Sequence, residues 1–337
     1  GEEVLELNIT PDRGYCFSMR GLAREYWHSQ GSPAGGFHDP GIRSGVPADN
    51  AAGYAVHLSD QAPIDDAPGC DRYVARIVRG VDPSAPSPAW MRTRLTQAGM
   101  RPISLAVDVT NYVMLLLGQP LHAFDLATLS GAIMVRRAAP GERLTTLDGA
   151  DRALDVEDLL ITDAGHTPLA LAGVMGGATS EVTESTTDVL IEAAHFDPVS
   201  IARTSRRHKL VSEASKRFER GVDPQVADDA AQLAVDLLVE YGGGVADPGA
   251  TDVDMTSSRT AYALDSALPG RLVGVDYPRA RVLQILTDLG CTVTDPGLAP
   301  AEAVLVTPPS WRPEVRWSRA GRGRCSRTGS PHRPCPW

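Results

Sequence analysis

Hydrophobic and polar positions follow one another along this chain in short blocks that predict interleaved strands and helices. Strands are predicted where apolar residues alternate or run together between turn residues, at residues 5–9, 54–58, 73–78, 133–137, 143–147, 159–163, 169–174 and 188–193. Helices are predicted where apolar residues recur every three or four positions, at residues 18–29, 87–99, 107–117, 199–208 and 224–241. Because these elements lack a regular βαβ rhythm, the pattern favours an α+β fold with mixed sheets over a doubly wound parallel sheet.

Breaks in this pattern divide the chain into four parts. Residues 1–45 are expected to be the end of a preceding domain and a linker helix, and residues 46–250 form the main mixed-sheet domain. Residues 251–314 follow as a small unit, in which a helix at 277–289 precedes a hairpin, the outline of a winged-helix-like domain. Residues 315–337 contain six Arg and no Asp, Glu, Leu or Ile. This composition favours an aberrant basic tail, such as an out-of-frame terminus, over a functional RNA-binding tail.

Composition excludes several classes of protein. With 42% hydrophobic and 22% charged residues, the 337-residue chain is able to bury a core and is not intrinsically disordered. The net charge of −10 means that contacts with nucleic acid must come from local basic patches. Five scattered cysteines argue against a disulfide framework or a zinc ribbon. Because neither a membrane span nor a signal peptide is visible, we expect a cytoplasmic location and no membrane partner.

One constellation of polar residues stands out in the main domain. Thr110 and Asn111 lie in an apolar predicted helix, and His122 follows in the segment after it. A helix and its return loop would bring these side chains to one pocket, although an isolated pair such as Asn111 and His122 more often consists of satisfied core polar groups. The glycine-rich segment 172–178 would allow a ligand to approach the backbone closely.

Glu192 lies within a continuous apolar strand of the kind that is buried on both faces. A buried carboxyl group needs a partner or a ligand, and an ion pair with Arg203, Arg206 or Arg207 is the structural alternative. Residues 203–209 form a concentrated basic patch, in which Arg206, Arg207 and His208 are candidates for contacts with tRNA phosphate. A solvated helix surface is the alternative for this patch.

Several long motifs resemble those of the β subunit of bacterial phenylalanyl-tRNA synthetase. They are TPDR at 10–13, RGLARE at 20–25, VTNYVM at 109–114, GQPLHAFD at 118–125, AGVMGG at 172–177, IEA at 191–193, RRH at 206–208, RFERGVDP at 217–224 and PPSWRP at 308–313. The resemblance covers about residues 1–314. It implies that the main domain is a tRNA-editing domain, which removes tyrosine wrongly attached to phenylalanine tRNA by hydrolysis with a positioned water.

The resemblance also implies a set of pocket residues: Thr110, Asn111, His122, Gly176, Glu192, Ser212 and Ala214. Glu192 would accept the hydrogen bond of the tyrosine phenol, and Gly176 and Ala214 would leave room for the ring. His122 with the Thr110–Asn111 pair would hold the terminal ribose and orient water, His122 acting either as a base or only as an orienting group. Such a second site is needed because a pocket shaped for Phe does not strongly reject an isostere with one more hydroxyl.

Cofactors and partners follow from the same resemblance. Editing would need no cofactor, and Mg and ATP would belong to the complete ligase. Glu314 corresponds to the first acid of a magnesium-binding segment, but Ala320, Gly323 and Arg324 stand where further acids are needed. We expect tRNA(Phe) and an α subunit as partners, no DNA, and no aminoacylation by this chain alone. An inactive RNA-binding scaffold from a truncated or frameshifted gene is the alternative.

Overall fold

The computed structural model describes residues 3–32, 36–294, 303–313 and 315. Its helices are α1 (Met19–Ser29), α2 (Ala89–Gln97), α3 (Leu105–Leu117), α4 (Pro198–His208), α5 (Glu213–Arg220), α6 (Ala227–Gly242), α7 (Leu268–Val273) and α8 (Arg279–Asp288). Its strands are β1 (Val56–Ser59), β2 (Cys70–Arg79), β3 (Leu121–Asp125), β4 (Ile133–Arg137), β5 (Arg143–Thr145), β6 (Asp151–Ala153), β7 (Leu159–Asp163), β8 (Thr167–Leu171), β9 (Met175–Gly176), β10 (Val189–Phe196), β11 (Val245–Asp254), β12 (Tyr262–Asp265), β13 (Thr292–Thr294) and β14 (Ala303–Thr307). The predicted α+β class is confirmed.

A four-stranded antiparallel sheet, in the order β11-β2-β10-β3, forms the centre of the main domain. Its two middle strands are buried on both faces, which the sequence pattern predicted for the apolar strand β10, whereas β2 also contains buried Arg72 and Arg76. One face carries Val74 and Val78 and packs against α2, α3 and α6. The other face carries Tyr73 and Leu190 and packs against the second sheet. The central sheet therefore separates two hydrophobic cores.

The second sheet has five strands in the order β1-β4-β7-β8-β9. Its β1–β4 pair is parallel, whereas the other neighbours are antiparallel, so the sheet is mixed as predicted. Fully buried Leu160 and Leu171 belong to the core that it shares with the central sheet. The short strand β9 at its edge brings the glycine-rich segment next to that core.

The small unit contains the predicted helix and hairpin and two elements that the pattern did not predict. Helix α8 precedes strands β13 and β14, which pair antiparallel, and β12 completes a three-stranded sheet in the order β12-β14-β13. Residues 295–302, the predicted loop of this hairpin, lie outside the described residues, as does the predicted aberrant tail apart from Val315. Strand β12 and helix α7 are too short to leave a clear period in the sequence.

Three further sequence predictions need correction. Residues 5–9 form no strand, and Leu5 is 85% exposed, because no neighbouring strand among the described residues pairs with this segment. Residues 121–125, predicted as a return loop, form strand β3. Strand β11 was missed because it contains Pro248 and Gly249, which weaken a strand. It is an edge strand, and its register shifts between Ala246 and Ala250, where a proline is tolerated.

Helix α1 is attached to the main domain by buried ion pairs. Ser18 caps the helix by accepting a hydrogen bond from Gly21 N, as predicted. Arg20 donates to Asp39 at 2.7 Å and to Asp223 at 2.8 Å, and Arg24 donates to Asp39 at 2.5 Å. Helix, linker and main domain are therefore joined by charged groups with little solvent exposure. Within the described residues, we find no helix that is both long and apolar enough to cross a membrane.

Candidate active site

A half-open cavity lies where the central sheet faces β8, β9 and helix α5. Its empty space, including the part that is open to solvent, is about 440 Å³. The lining is mostly apolar and consists of Pro120, Leu121, His122, Ile161, Ala170, Leu171, Gly173, Val174, Met175, Gly176, Glu192, Phe196, Ala214 and Phe218. Four of the residues implied by the resemblance therefore share one pocket: His122, Gly176, Glu192 and Ala214.

Glu192 lies in the middle of β10 and faces this pocket. Strand alternation places it on the same face as Leu190 and Ala194, towards the core between the two sheets. It is 5% exposed, and its Oε2 is buried without a hydrogen-bond partner. Burial raises the pKa of the carboxyl group to about 8, so the neutral acid predominates at pH 7. Among the described residues, no arginine forms an ion pair with Glu192, which removes the structural alternative.

His122 lies directly opposite Glu192, because β3 and β10 are antiparallel neighbours and these two residues are in register. Side chains opposite each other in such a pair lie close together on one face. His122 Nε2 is buried and has no hydrogen-bond partner. Burial lowers the pKa of the imidazole to about 4, so the ring is neutral at pH 7. The ring of Phe124 supports it edge-on, with 4.5 Å between the ring centroids.

The glycine-rich segment forms one wall of the pocket. A Cβ atom on Gly176 would lie 2.6 Å from His122 Cε1, which is too close for a carbon contact. A Cβ on Gly173, whose φ is +66°, would lie 2.8 Å from Phe196 Cδ2. The glycines of this segment therefore let the backbone pack closely against the imidazole and the aromatic ring, and the approach of a ligand to this backbone stays a prediction.

Ser212 supports the pocket from outside its lining. It caps helix α5 by accepting a hydrogen bond from Ser215 N at 3.0 Å. Its hydroxyl also donates to the carbonyl oxygen of Val174 at 2.9 Å. The residue therefore fixes the wall beside Gly176 and the start of the helix that carries Ala214.

The structure does not bring Thr110 and Asn111 into this pocket. Both lie on α3, and neither belongs to the described lining of the cavity. The Thr110 hydroxyl donates to the carbonyl oxygen of Val107 within its own helix, at 2.8 Å. His122 is separated from α3 because it lies on a strand and not in a return loop, so its side chain faces the opposite core.

Several side chains of the basic patch at residues 203–209 form ion pairs within the domain. Arg207 donates to buried Asp158 at 2.5 Å, and His208 Nε2 lies 2.6 Å from the same carboxylate. Arg203 pairs with Glu157 at 2.9 Å. Arg206 is exposed and forms no ion pair or side-chain hydrogen bond with any described residue. Arg207 and His208 are therefore used in contacts within the domain, not left as a solvated helix surface, and Arg206 is left as the candidate for a phosphate contact.

The vestigial metal site that the resemblance implied, with its further ligands missing, lies outside the described residues, and so does Glu314, its remaining acid. No group of three or more His, Cys, Asp or Glu side chains within the described ranges has a metal-binding arrangement.

Sequence reasoning missed Tyr73, which is fully buried on β2 beside Glu192. Its hydroxyl group has no hydrogen-bond partner. Tyr73 lies on the same face of β2 as Ala75 and Ile77, so the strand pattern predicted its burial. No signal in the sequence identified β2 as the neighbour of β10.

The chain is similar in sequence to one protein-family model and to several known proteins. The B3/4 domain family matches residues 69–243, just over half of the chain. The chain is 54% identical over 317 residues to the phenylalanine–tRNA ligase β subunit of Streptomyces avermitilis, covering 93% of this chain and 36% of that protein. It is 51% identical over 327 residues to the β subunit of Bifidobacterium longum, with 93% and 37% covered. The chain therefore spans little more than a third of these relatives.

A solved structure is also similar to the chain. It is an N-terminal fragment of the phenylalanyl-tRNA synthetase β subunit from Pyrococcus horikoshii, with 15% identity and a TM-score of 0.38. The match covers 92% of this chain and 82% of that fragment.

Proposed function

The chain belongs to the phenylalanine–tRNA ligase β-subunit family, with a B3/4 domain at residues 69–243, and from this premise we propose that this domain is an editing hydrolase. Its substrate would be phenylalanine tRNA that carries tyrosine by mistake. The reaction would be hydrolysis of the ester between the tyrosyl group and the terminal ribose.

The observation that carries this proposal is the pair of unpartnered polar atoms in an otherwise apolar pocket. Glu192 Oε2 and His122 Nε2 are both buried, and their residues face each other across β10 and β3. Tyrosine differs from phenylalanine by one hydroxyl, which is able to donate one hydrogen bond and accept another. A protonated carboxyl group and a neutral imidazole together offer both a donor and an acceptor.

Discrimination follows from these unpaired groups. A phenylalanine side chain in the same pocket would leave both Glu192 and His122 without partners, which is costly for buried polar atoms. Sites built around such a hydrogen bond reject the analogue that lacks it by roughly 10⁴-fold or more. The placement of His122 beside Glu192 favours a role at the ring hydroxyl over the ribose-holding role that the resemblance implied.

Hydrolysis would rely on positioning. The lining contains no Ser, Thr, Cys or Lys side chain that would act as a nucleophile. Binding the ring at the floor of the pocket would hold the ester at its open mouth, where water attacks without an acyl-enzyme. Thr110 and Asn111 have no place in this arrangement, and Arg206 would contact tRNA phosphate. We propose that editing needs no cofactor, whereas Mg, ATP and an α subunit serve aminoacylation in the complete ligase.

The test is release of tyrosine from tyrosyl-tRNA(Phe) by the purified, folded chain, compared with release of phenylalanine from phenylalanyl-tRNA(Phe). We expect rapid release of tyrosine alone, and loss of this preference in Glu192→Ala. Glu184→Ala, which changes an exposed acid on the loop before β10, is the matched control and should behave as wild type. If the folded chain releases neither amino acid faster than buffer, the hydrolase proposal fails and an inactive scaffold remains.

A further inference from the structure

A third unpartnered polar group lies behind the pocket. Tyr73 on β2 is paired in register with Ala194 of β10, and Glu192 is paired with Ala75. Tyr73 and Glu192 are therefore diagonal neighbours on one face of the sheet, within reach of a long aromatic side chain. The Tyr73 side chain is fully buried, and its hydroxyl makes no hydrogen bond. This hydroxyl and Glu192 Oε2 thus lack partners on the same face of neighbouring strands.

Few other groups act on the Glu192 carboxyl. The titratable side chains that face it are Cys70 and Tyr73 from β2 and His122 from β3, because the remaining lining of the pocket carries none. Burial raises the pKa of the Cys70 thiol well above its ordinary value. The thiol donates a hydrogen bond to the carbonyl oxygen of Arg72, with 3.4 Å between sulfur and oxygen. His122 is neutral because burial lowers its pKa.

Tyr73 is the group that favours the charged form of Glu192. Burial raises the pKa of the carboxyl, and the approach of the Tyr73 hydroxyl opposes that rise, since a hydroxyl donor stabilises a carboxylate. Among the facing groups, the Cys70 thiol is directed at the carbonyl oxygen of Arg72, and Tyr73 is the group whose hydrogen bonding lowers the pKa of Glu192. Removing the hydroxyl alone would therefore raise the pKa of the Glu192 carboxyl without changing the shape of the core.

We propose that Tyr73 is a positioning residue for Glu192: when the aminoacyl group binds, the Tyr73 hydroxyl, unpartnered in the free chain, donates to one carboxyl oxygen and holds the other towards the ring hydroxyl of that group. Tyr73 does not line the pocket, so it acts through Glu192 and not on the substrate. The identity of the bound group rests on the proposed function, whereas the coupling between Tyr73 and Glu192 does not. A hydroxyl that donates to the carboxyl group favours its ionised form, and an ionised carboxylate is a stronger acceptor for a phenol than the neutral acid.

The direct test is the titration of the Glu192 carboxyl, followed by carbon-13 NMR of the glutamate-labelled chain and assigned with Glu192→Gln. Tyr73→Phe should move the titration midpoint upwards, because the carboxylate loses its donor. Tyr241→Phe, which removes a hydroxyl on α6 in the other core, should leave it unchanged. Tyr73→Phe keeps the buried ring and removes an unpartnered hydroxyl, so the variant should melt no earlier than wild type. An unchanged midpoint in Tyr73→Phe would overturn the proposal.

The second readout is selectivity between tyrosyl-tRNA(Phe) and phenylalanyl-tRNA(Phe). We expect Tyr73→Phe to reduce the preference for the tyrosyl ester about threefold to tenfold, the value of one hydrogen bond, while Tyr241→Phe keeps it. A shifted midpoint with unchanged selectivity would contradict a role in recognition. If wild type hydrolyses neither ester, the proposed function fails by itself, and the carboxyl titration still decides whether Tyr73 positions Glu192.

Discussion

Glu192 and His122 are an acid and a base that burial drives towards their neutral forms. The carboxyl pKa rises from 4.5 to about 8, and the imidazole pKa falls from 6.5 to about 4. Both shifts have the same cause, desolvation without an opposite charge nearby. If the pocket distinguishes one hydroxyl from a hydrogen, as proposed, it would gain from this arrangement, since charged groups would attract water into the space for the ring.

The two shifts predict how stability depends on pH. Between pH 4.5 and 8 the folded chain binds more protons at Glu192 than the unfolded chain, so stability falls as pH rises through that window. Between pH 4 and 6.5 the unfolded chain binds more protons at His122, so that contribution rises with pH. The contributions of Glu192 and His122 to the free energy of unfolding oppose each other between pH 4.5 and 6.5. From pH 6.5 to 8, Glu192 alone of the two changes this free energy.

Urea unfolding across this upper window provides the measurement. Relative to Glu192→Gln, the free energy of unfolding of wild type should fall by about 1 kcal/mol per pH unit between pH 6.5 and 8. Glu184→Gln, at an exposed position, should run parallel to wild type. Parallel curves for wild type and Glu192→Gln would show that Glu192 is ionised at ordinary pKa in the folded chain.

Single residues differ in how far the sequence predicted their roles. The burial of Glu192 followed from its apolar strand, and the closeness of backbone at Gly176 followed from the glycines. The position of His122 did not follow, because strand β3 contains too few apolar residues to show a period of two. Tyr73 was out of reach as well, since the pairing of β2 with β10 joins residues that are far apart in the sequence.

At the scale of elements, helix α5 depends on a cap that also holds the pocket. Ser212 satisfies Ser215 N at the start of the helix and ties it to the carbonyl oxygen of Val174. The resemblance had placed Ser212 in the pocket lining. The structure places Ser212 outside the described lining, where its hydroxyl already makes two hydrogen bonds.

Ser212→Ala should therefore lower the free energy of unfolding by about 1 kcal/mol, the usual cost of losing an N-cap. Ser212→Thr keeps the hydroxyl and should retain most of the stability. Ser29→Ala is the control, because the Ser29 hydroxyl bonds to the carbonyl oxygen of Tyr26 and to the side chain of Gln30, both at the exposed end of α1. Chemical denaturation of the three variants decides the matter, and equal midpoints for Ser212→Ala and Ser29→Ala would contradict the capping role.

Most helices were predictable, whereas helix α5 and the two edge strands of the central sheet, β3 and β11, were not. Helix α1 and its Ser18 cap, helix α3 and helix α4 with its Asp197 cap follow the local pattern closely. Strand β11 contains Pro248 and Gly249, which are unfavourable in strands. It forms because it pairs with the open edge of β2, a long-range contact that the local sequence does not show. Strand β11 also runs past residue 250, where the sequence pattern suggested a domain boundary.

At the scale of the whole molecule, three distant segments meet at one junction. The guanidinium of Arg24 on α1 lies 3.8 Å from the ring centroid of Trp311. The same ring packs against the backbone of Gly290, where a Cβ atom would lie 2.4 Å from Trp311 Cζ2. Arg24 is in turn paired with Asp39 in the linker. The motif at 308–313 therefore fastens the small unit to helix α1, a contact that no local pattern in the sequence reveals.

Replacing Trp311 tests whether this junction makes the small unit and the rest of the chain one cooperative body. Trp311→Ala removes the cation–π contact with Arg24 and the packing on Gly290, and should cost about 2 kcal/mol. Amide hydrogen exchange should then accelerate in α8 and in strands β12 to β14, while β2 and β10 in the central sheet keep their protection. Trp311→Phe retains a ring over Arg24 and should behave nearly as wild type. Equal exchange in the small unit of Trp311→Ala and wild type would mean that this unit is stable without the junction, and that the buried ion pairs of Arg20 and Arg24 serve only helix α1.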